Sequence, residues 1–207
     1  MKLLQALAAG LAPPLCAACG RACRTDAVLC TRCARRLGAA EPLAGAGPPG
    51  IDRVWSSAPH EDVAQSLVSA LKFRRLLPVA GLMADRIHWL APSRLLSGTI
   101  VPVPTAPLRS LARGFDPAAE IAAALAGSAG LPIEPCLARS GLGRQVGKRR
   151  AQRIGHPPVH RTRGEIPGSV LLIDDVLTTG ATLSSCARAL RSAGAVRIDA
   201  ITFSRRL

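Results

Sequence analysis

The stretch SVLLIDDVLTTGATLSSCARAL (169–190) constrains the fold of this chain more than any other. Its apolar run is too dense to alternate between a wet and a dry face, so it predicts a strand buried on both sides, as in a parallel sheet. Two acids end the run, a short loop with one glycine follows, and Leu183, Ala187 and Leu190 then recur at helical spacing until Gly194 stops the helix. Strand, tight loop and helix in that order place Asp174 and Asp175 at the carboxyl end of a strand, where open α/β sheets bind ligands. A single Asp there would serve merely to cap the helix; a second one is surplus to that role.

The remaining segments repeat the alternation. DRVWSSA reads as a strand, and EDVAQSLVSALKF as a helix with Val63, Leu67, Ala70 and Leu71 on one face. A second helix is expected over 78–90, and GTIVPVP (98–104) reads as a buried strand stopped by prolines. Asp116-Pro117 opens an alanine-rich helix to about Ser128, with Pro in the first turn, where its missing N–H costs nothing. A short strand is expected within LPIEPCLARS, and VRIDAITFS closes the chain as a strand. Residues 141–164 show no period and carry many basic residues, which predicts a long functional or mobile loop. Strands alternating with helices imply an α/β fold with a parallel sheet.

Around the acid pair the chemistry divides in two. Thr178, Thr179, Gly180, Ala181 and Thr182 form the start of a helix, where unpaired N–H groups and the positive dipole end offer a cradle for phosphate. Asp174 and Asp175 repel a phosphate but accept hydrogen bonds from a sugar diol. A ligand that satisfies both is a ribose 5-phosphate. No GxxxxGK[ST] motif is present, which excludes a Walker loop.

Five of the seven cysteines fall in the first 33 residues. Cys16 and Cys19 form one CxxC and Cys30 and Cys33 another, close to the structural four-cysteine zinc pattern in which the thiolates leave no open position. Cys23 is a spare that can replace one ligand, and a redox CxxC is the competing reading. An odd cysteine count argues against a secreted disulfide framework. GAAEPLAGAGPPG (38–50) lacks periodicity and reads as a linker, so the expected organisation is a helix plus zinc knob over 1–37, the linker, and one domain over 51–207.

Lys and Arg number 27 against 13 Asp and Glu, a formal charge of +14, so the surface attracts anions: phosphates, nucleic acid or acidic lipid. The charge does not choose among them. The opening MKLLQALAAGLAPPLC resembles a signal peptide superficially, but Gln5 interrupts its apolar run and Leu15 is wrong for a lipoprotein signal. No membrane span is expected, and the expected location is the cytoplasm.

VLLIDDVLTTGAT resembles the PRPP-binding signature of type I phosphoribosyltransferases. CAAC, LCTRC, LKFRR, IVPVP, RGFDPA and RQVGKRRAQR fall in the order seen in one branch of these, the ComF family of competence-associated proteins with an N-terminal zinc finger. The resemblance implies the phosphoribosyltransferase fold for 51–207, PRPP and Mg²⁺ as ligands, and structural Zn²⁺ on the four cysteines. It implies pyrophosphate handling by Val101–Pro104, Arg109, Arg113 and Gly114, a role for Lys72, and a basic lid carrying Gln145, Arg149, Arg150 and Arg153. Asp174 and Asp175 would be the catalytic pair. The family usually shows RGFNQ where this chain has Asp116 and Pro117, and Leu and Asn near positions held here by Lys148 and His156. The resemblance also implies a role in DNA uptake, with single-stranded DNA and competence helicase or recombination-loading proteins as partners. Aromatic stacking for DNA is sparse: there is no Tyr, and Trp55, Trp89, Phe73, Phe115 and Phe203 are all the large rings available.

Overall fold

Residues 14–106, 111, 113–139 and 160–206 are described by the computed structural model. In chain order they form α1 (Thr31–Ala39), β1 (Leu43–Gly45), β2 (Arg53–Pro59), α2 (Asp62–Arg74), α3 (Pro78–Leu90) and β3 (Thr99–Pro102). Then come α4 (Pro117–Ala129), β4 (Leu137–Arg139), β5 (His160–Thr162), β6 (Ser169–Leu177), α5 (Ala181–Ser192) and β7 (Arg197–Arg205).

Five strands make the main sheet in the order β1-β2-β7-β6-β3. β6 lies between β7 and β3 and is parallel to both, and β2 is parallel to β7. The dense apolar run of β6 is explained by this central place, since both of its faces are covered. Leu171 and Ile173 point into one layer with Ile201, Phe203 and the α2, α3 and α4 residues Leu67, Leu71, Met83, Ile87, Ile121 and Leu125. Val170 and Leu172 point the other way, into a layer with Ile198 and the α5 residues Leu183, Cys186 and Leu190. Leu67 and Leu71 are fully buried, and burial of each side chain contributes about 1.5–3 kcal/mol. Hydroxyls buried in the strands are paired: Ser56 Oγ lies 2.7 Å from Thr202 Oγ1, and Ser57 Oγ donates to the Phe203 carbonyl at 2.6 Å.

Local sequence sets the helix starts. Asp116 caps α4, its carboxylate accepting the Ala118 N–H, and Pro117 occupies the first turn as expected. Arg75, in the left-handed region at φ 54°, ends α2 and turns the chain into α3.

Two segments differ from the sequence reading. Within 38–50, read as a linker, Leu43–Gly45 pair antiparallel with β2; a three-residue strand leaves no periodicity to read, because its partner supplies the pairing. Of the expected loop over 141–164, the described end contains β5, which pairs antiparallel with β4 in a separate two-stranded ribbon, Arg139 opposite His160.

β1 is one border of the main sheet. On the other, the Ile100 N–H donates to the Pro132 carbonyl and the Glu134 N–H to the Ile100 carbonyl, so residues 132–134 lie along the open side of β3.

The cysteine-bearing knob is seated on the sheet domain. Cys16, Ala17, Leu29, Cys33 and Leu37 are buried in the same apolar layer as α2 and α3. Arg74 of α2 donates to the Ala17 carbonyl, and Arg86 of α3 donates to the Ala40 and Ser57 carbonyls. The Arg36–Asp62 ion pair, at 2.7 Å, is half exposed and adds little.

Candidate functional site

Four parallel strands bring their carboxyl ends to one edge of the sheet, and the chemistry-bearing residues collect there. Asp174 and Asp175 come from β6, Val103 to Thr105 follow β3, His60 follows β2, and Ser204 lies near the end of β7. Adjacent strand residues point to opposite faces. Asp175 therefore projects to the α2 side, where Lys72 Nζ lies 2.6 Å from Oδ2. Asp174 projects to the α5 side, beside Cys186, and its Oδ1 accepts the Asp175 backbone N–H at 2.8 Å. Burial, and then the neighbouring Asp175 charge, push the Asp174 carboxyl well above its ordinary 3.8. A ligand that touches both carboxylates must sit over the end of the strand rather than on one face.

The loop after the acids turns on Gly180, which has φ 75° and begins α5. Left-handed backbone favours glycine, and a second constraint adds to it: a Cβ at this position would lie 2.7 Å from the Pro48 side chain. The segment between β1 and β2 thus packs against the loop. Thr178 and Thr179 are exposed, the Thr179 hydroxyl lies 3.4 Å from the Ala181 N–H, and the first turn of α5 presents its amides in the same place. An anion can be received there by main-chain N–H groups and two hydroxyls.

On the β3 side the loop is held by Asp116. Its carboxylate accepts the Thr105 N–H at 2.7 Å and the Thr105 hydroxyl at 2.9 Å, besides capping α4. The Asp of RGFDP thus ties the strand-end loop to the helix start. Next to it two arginines and two rings interlock. The Arg113 guanidinium lies over Phe73 at 5.5 Å, and Arg75 lies over Phe115 at 6.0 Å. Gly114, at φ 76°, lets Arg75 approach. Of the expected site residues, the structure brings together Lys72, Asp174, Asp175 and the 178–182 loop, with Arg113 and Gly114 on the neighbouring loop. Arg109, Gln145, Arg149, Arg150 and Arg153 lie outside the described residues.

Sequence reasoning missed His60. Its Nδ1 lies 2.9 Å from Ser204 Oγ, which lies 3.4 Å from the Asp175 carbonyl. Burial, then the Arg206 and Lys72 charges, lower its pKa, so the ring is uncharged at neutral pH. The signal was available: His60 follows a strand end on the same sheet edge, the positional rule that singled out Asp174. A second histidine, His160, is buried at the base of the ribbon, and neither ring nitrogen has a partner among the described residues. Burial and the Arg139 charge lower its pKa to about 4.

In the knob, the thiols of Cys16, Cys19, Cys30 and Cys33 all lie within 4.8 Å of one another, and none is in a disulfide. The Cys19 and Cys30 sulfurs are 3.7 Å apart, close to the edge of about 3.8 Å that tetrahedral geometry with metal–sulfur bonds of about 2.3 Å requires. Burial opposes ionisation of Cys16, but hydrogen bonds from backbone groups at Cys19, Cys30 and Ala18 outweigh it and bring the thiol down to about 6. The group can hold zinc. Cys23 is not part of it: its thiol donates to the Pro14 and Ala27 carbonyls.

Fold and site together define an α/β protein with a mostly parallel sheet, an acid pair and an anion-receptive helix start at the carboxyl edge, and a four-cysteine knob. No family model matches the chain, and no curated protein does. Among solved structures it is similar to the allosteric regulatory enzyme of purine biosynthesis, at 21% identity and TM-score 0.38 over 59% of this chain and 24% of that one. It is similar to orotate phosphoribosyltransferase from Aeropyrum pernix, at 23% identity and TM-score 0.39 over 63% of each chain. A third is a Trypanosoma cruzi hypoxanthine phosphoribosyl transferase, at 17% identity and TM-score 0.35 over 62% of this chain and 64% of that one. The chain spans less than two thirds of the length of each. No helix among the described residues is long and apolar enough to cross a membrane.

Proposed function

We propose that the carboxyl edge binds PRPP with Mg²⁺ and that the chain is a phosphoribosyltransferase homologue of the ComF type. The observation that carries this reading is the order in space of Asp174, Asp175 and the Gly180 helix start at the end of β6. The two carboxylates accept the 2′- and 3′-hydroxyls from opposite sides of the strand end. The amides and hydroxyls of residues 178–182 take the 5′-phosphate. Lys72 orients Asp175 through their 2.6 Å ion pair. Mg²⁺ enters with the ligand and offsets diphosphate charge.

Transfer would break the bond from C1 to the pyrophosphate oxygen, with the electron pair leaving on pyrophosphate, and form a bond from C1 to a nucleophilic acceptor that gives up its proton. No side-chain nucleophile is required. The carboxylates stabilise positive charge that develops on the ribosyl ring. The zinc knob, the segment 38–50 and the body 51–207 are the three parts of this reading, and its location is the cytoplasm.

A second reading is favoured by charge: the chain carries +14, and Phe73, 73% exposed, stands beside Arg74, Arg75 and Arg113. Such a surface suits weak, sequence-neutral binding of single-stranded DNA, with the PRPP site regulatory or silent and competence helicase or recombination-loading proteins as partners.

Calorimetric titration of PRPP with Mg²⁺ into the wild type and the Asp174→Asn/Asp175→Asn variant tests the first reading. Heat is expected in the wild type and lost in the variant; absent heat, or heat indifferent to the substitutions, overturns it. Single-stranded DNA binding that weakens steeply with salt, without PRPP heat, would favour the second reading. Pyrophosphate release across a panel of bases separates an enzyme from a sensor.

A further inference from the structure

An acceptor that loses a proton during transfer needs a base near C1, and the carboxyl edge holds a residue suited to that task. His60 stands where β2 ends and is fixed at two points. Its backbone N–H donates to the Arg205 carbonyl at 2.7 Å, and its ring Nδ1 lies 2.9 Å from Ser204 Oγ. Ser204 is fully buried, and its hydroxyl donates to the Asp175 carbonyl at 3.4 Å. A carbonyl only accepts, and a hydroxyl has one proton to give. A single arrangement satisfies both contacts: Ser204 gives its proton to the carbonyl and accepts one from His60 Nδ1–H. That fixes the tautomer of the neutral ring and leaves Nε2 with a free lone pair. Nε2 has no hydrogen-bond partner among the described residues, and the ring is only part-buried.

The position suits an incoming nucleophile. Displacement at C1 puts the acceptor and the leaving group on opposite sides of the reacting carbon. With a ribose over Asp174 and Asp175 at the end of β6, the loop after β3, with Arg113, lies to one side. β7 and β2, with Ser204 and His60, lie to the other. Two successive hydrogen bonds join the ring to the Asp175 main chain, so it belongs to the same edge.

We propose that His60 Nε2 is the general base of the transfer and that the acceptor is a nucleophile with an N–H or O–H proton to lose. This rests on the PRPP reading of the sheet edge. The acceptor's N–H or O–H bond breaks and its proton passes to Nε2, while the acceptor's electron pair forms the bond to C1. The bond from C1 to oxygen breaks, and its electron pair leaves on pyrophosphate. The imidazolium then returns its proton to solvent. The charged groups facing the ring are Arg206 after β7, Lys72 of α2 and Asp175 of β6. Burial, Arg206 and Lys72 favour the neutral ring, which is the form a base needs, and Asp175 favours the imidazolium that follows. A ring nitrogen that carries no proton gains nothing from such a base.

Nitrogen-15 NMR on the labelled full chain reads the tautomer, with His60 assigned by its loss in His60→Asn. The Nδ1–H form is expected; the Nε2–H form overturns the proposal. Pyrophosphate release from PRPP with Mg²⁺ is followed with adenine, uracil and water as proton-bearing acceptors and nicotinamide as one whose ring nitrogen has no proton. In the wild type, kcat/KM for PRPP should rise with pH through a value below 6.5 and stay level above it. The amide N–H of His60→Asn can replace Nδ1–H towards Ser204 but supplies no base. Its rate should fall about 10²–10⁴-fold and lose that pH dependence, with PRPP heat retained. Ser204→Ala, which frees the tautomer, should cause a smaller loss. Turnover indifferent to His60→Asn, turnover with nicotinamide alone, or no turnover with adenine, uracil and water beside intact PRPP heat overturns the proposal. Absent PRPP heat in the wild type is the distinct result that removes the underlying reading and this inference with it.

Discussion

Lys72 of α2 and Asp175 of β6 form a 2.6 Å ion pair in which the lysine is 23% exposed and the aspartate 9%. The carboxylate at the heart of the candidate site is therefore already compensated by a cation from the facing helix. Removing the cation leaves a charge in a dry place. Lys72→Met is expected to cost about 3 kcal/mol. Adding Asp175→Asn to that variant should recover most of the loss, which urea unfolding of the two single variants and the double variant will measure.

Asp174 obeys the opposite logic. Its folded pKa is raised, so its contribution to stability is full below the ordinary 3.8 and is lost as pH rises through the folded value. Asp174→Asn should thus raise the thermal midpoint at about pH 8 and leave it nearly unchanged in acid near the ordinary value. The same substitution should abolish PRPP heat, which would mark Asp174 as a residue kept for binding at a cost in stability.

Gly180→Ala tests the loop. A left-handed backbone costs an L-residue about 1–2 kcal/mol, and the new Cβ would also meet Pro48 at 2.7 Å. A fall in midpoint of about 2–8 °C is expected from the backbone effect alone. Pro48→Gly in the same chain, which removes the clashing Cβ, should relieve the clash but not the backbone strain, so scanning calorimetry of the two single variants and the double variant separates the two.

For the knob, metal analysis is decisive. The wild type should hold one zinc per chain, as four thiolates around one ion require. Cys19→Ser should lose it, and Cys23→Ser should keep it, because Cys23 donates to two carbonyls outside the cluster. Chelation should expose the four ligand thiols to a colorimetric thiol reagent while the far-ultraviolet signal of the sheet persists.

Asp116→Ala should remove three hydrogen bonds at once, the cap of α4 and both links to Thr105. A loss of about 1–2 kcal/mol is expected. Amide exchange at 103–106 should accelerate more than exchange in β3 itself.

The parts of the molecule that sequence reveals are those with local causes. β6, α5 and the acid pair are legible because a buried strand, a glycine turn and an amphipathic stripe each leave their signature within a few residues. The four-cysteine group is legible because its ligands come in two short pairs. The links hidden from sequence are those made across distance. Lys72 and Asp175 are far apart in the chain, and only the packing of α2 on β6 joins them. β1 is invisible because β2 creates it, and the seating of the knob depends on Leu37 and Ala17 finding the α2–α3 layer. The strand-end rule applied to β2 as well as β6 would have found His60.

The two borders of the main sheet bear on how the protein behaves in concentrated solution. A long unprotected strand edge recruits other chains through its free backbone groups, the first step towards fibrils. Here one rim ends in a strand of only three residues, and the other is blocked by the run through Ile133. A very short edge on one side and a covered one on the other disfavour self-templated aggregation, and purified material should remain clear and non-fibrillar where an open parallel sheet of this size would not.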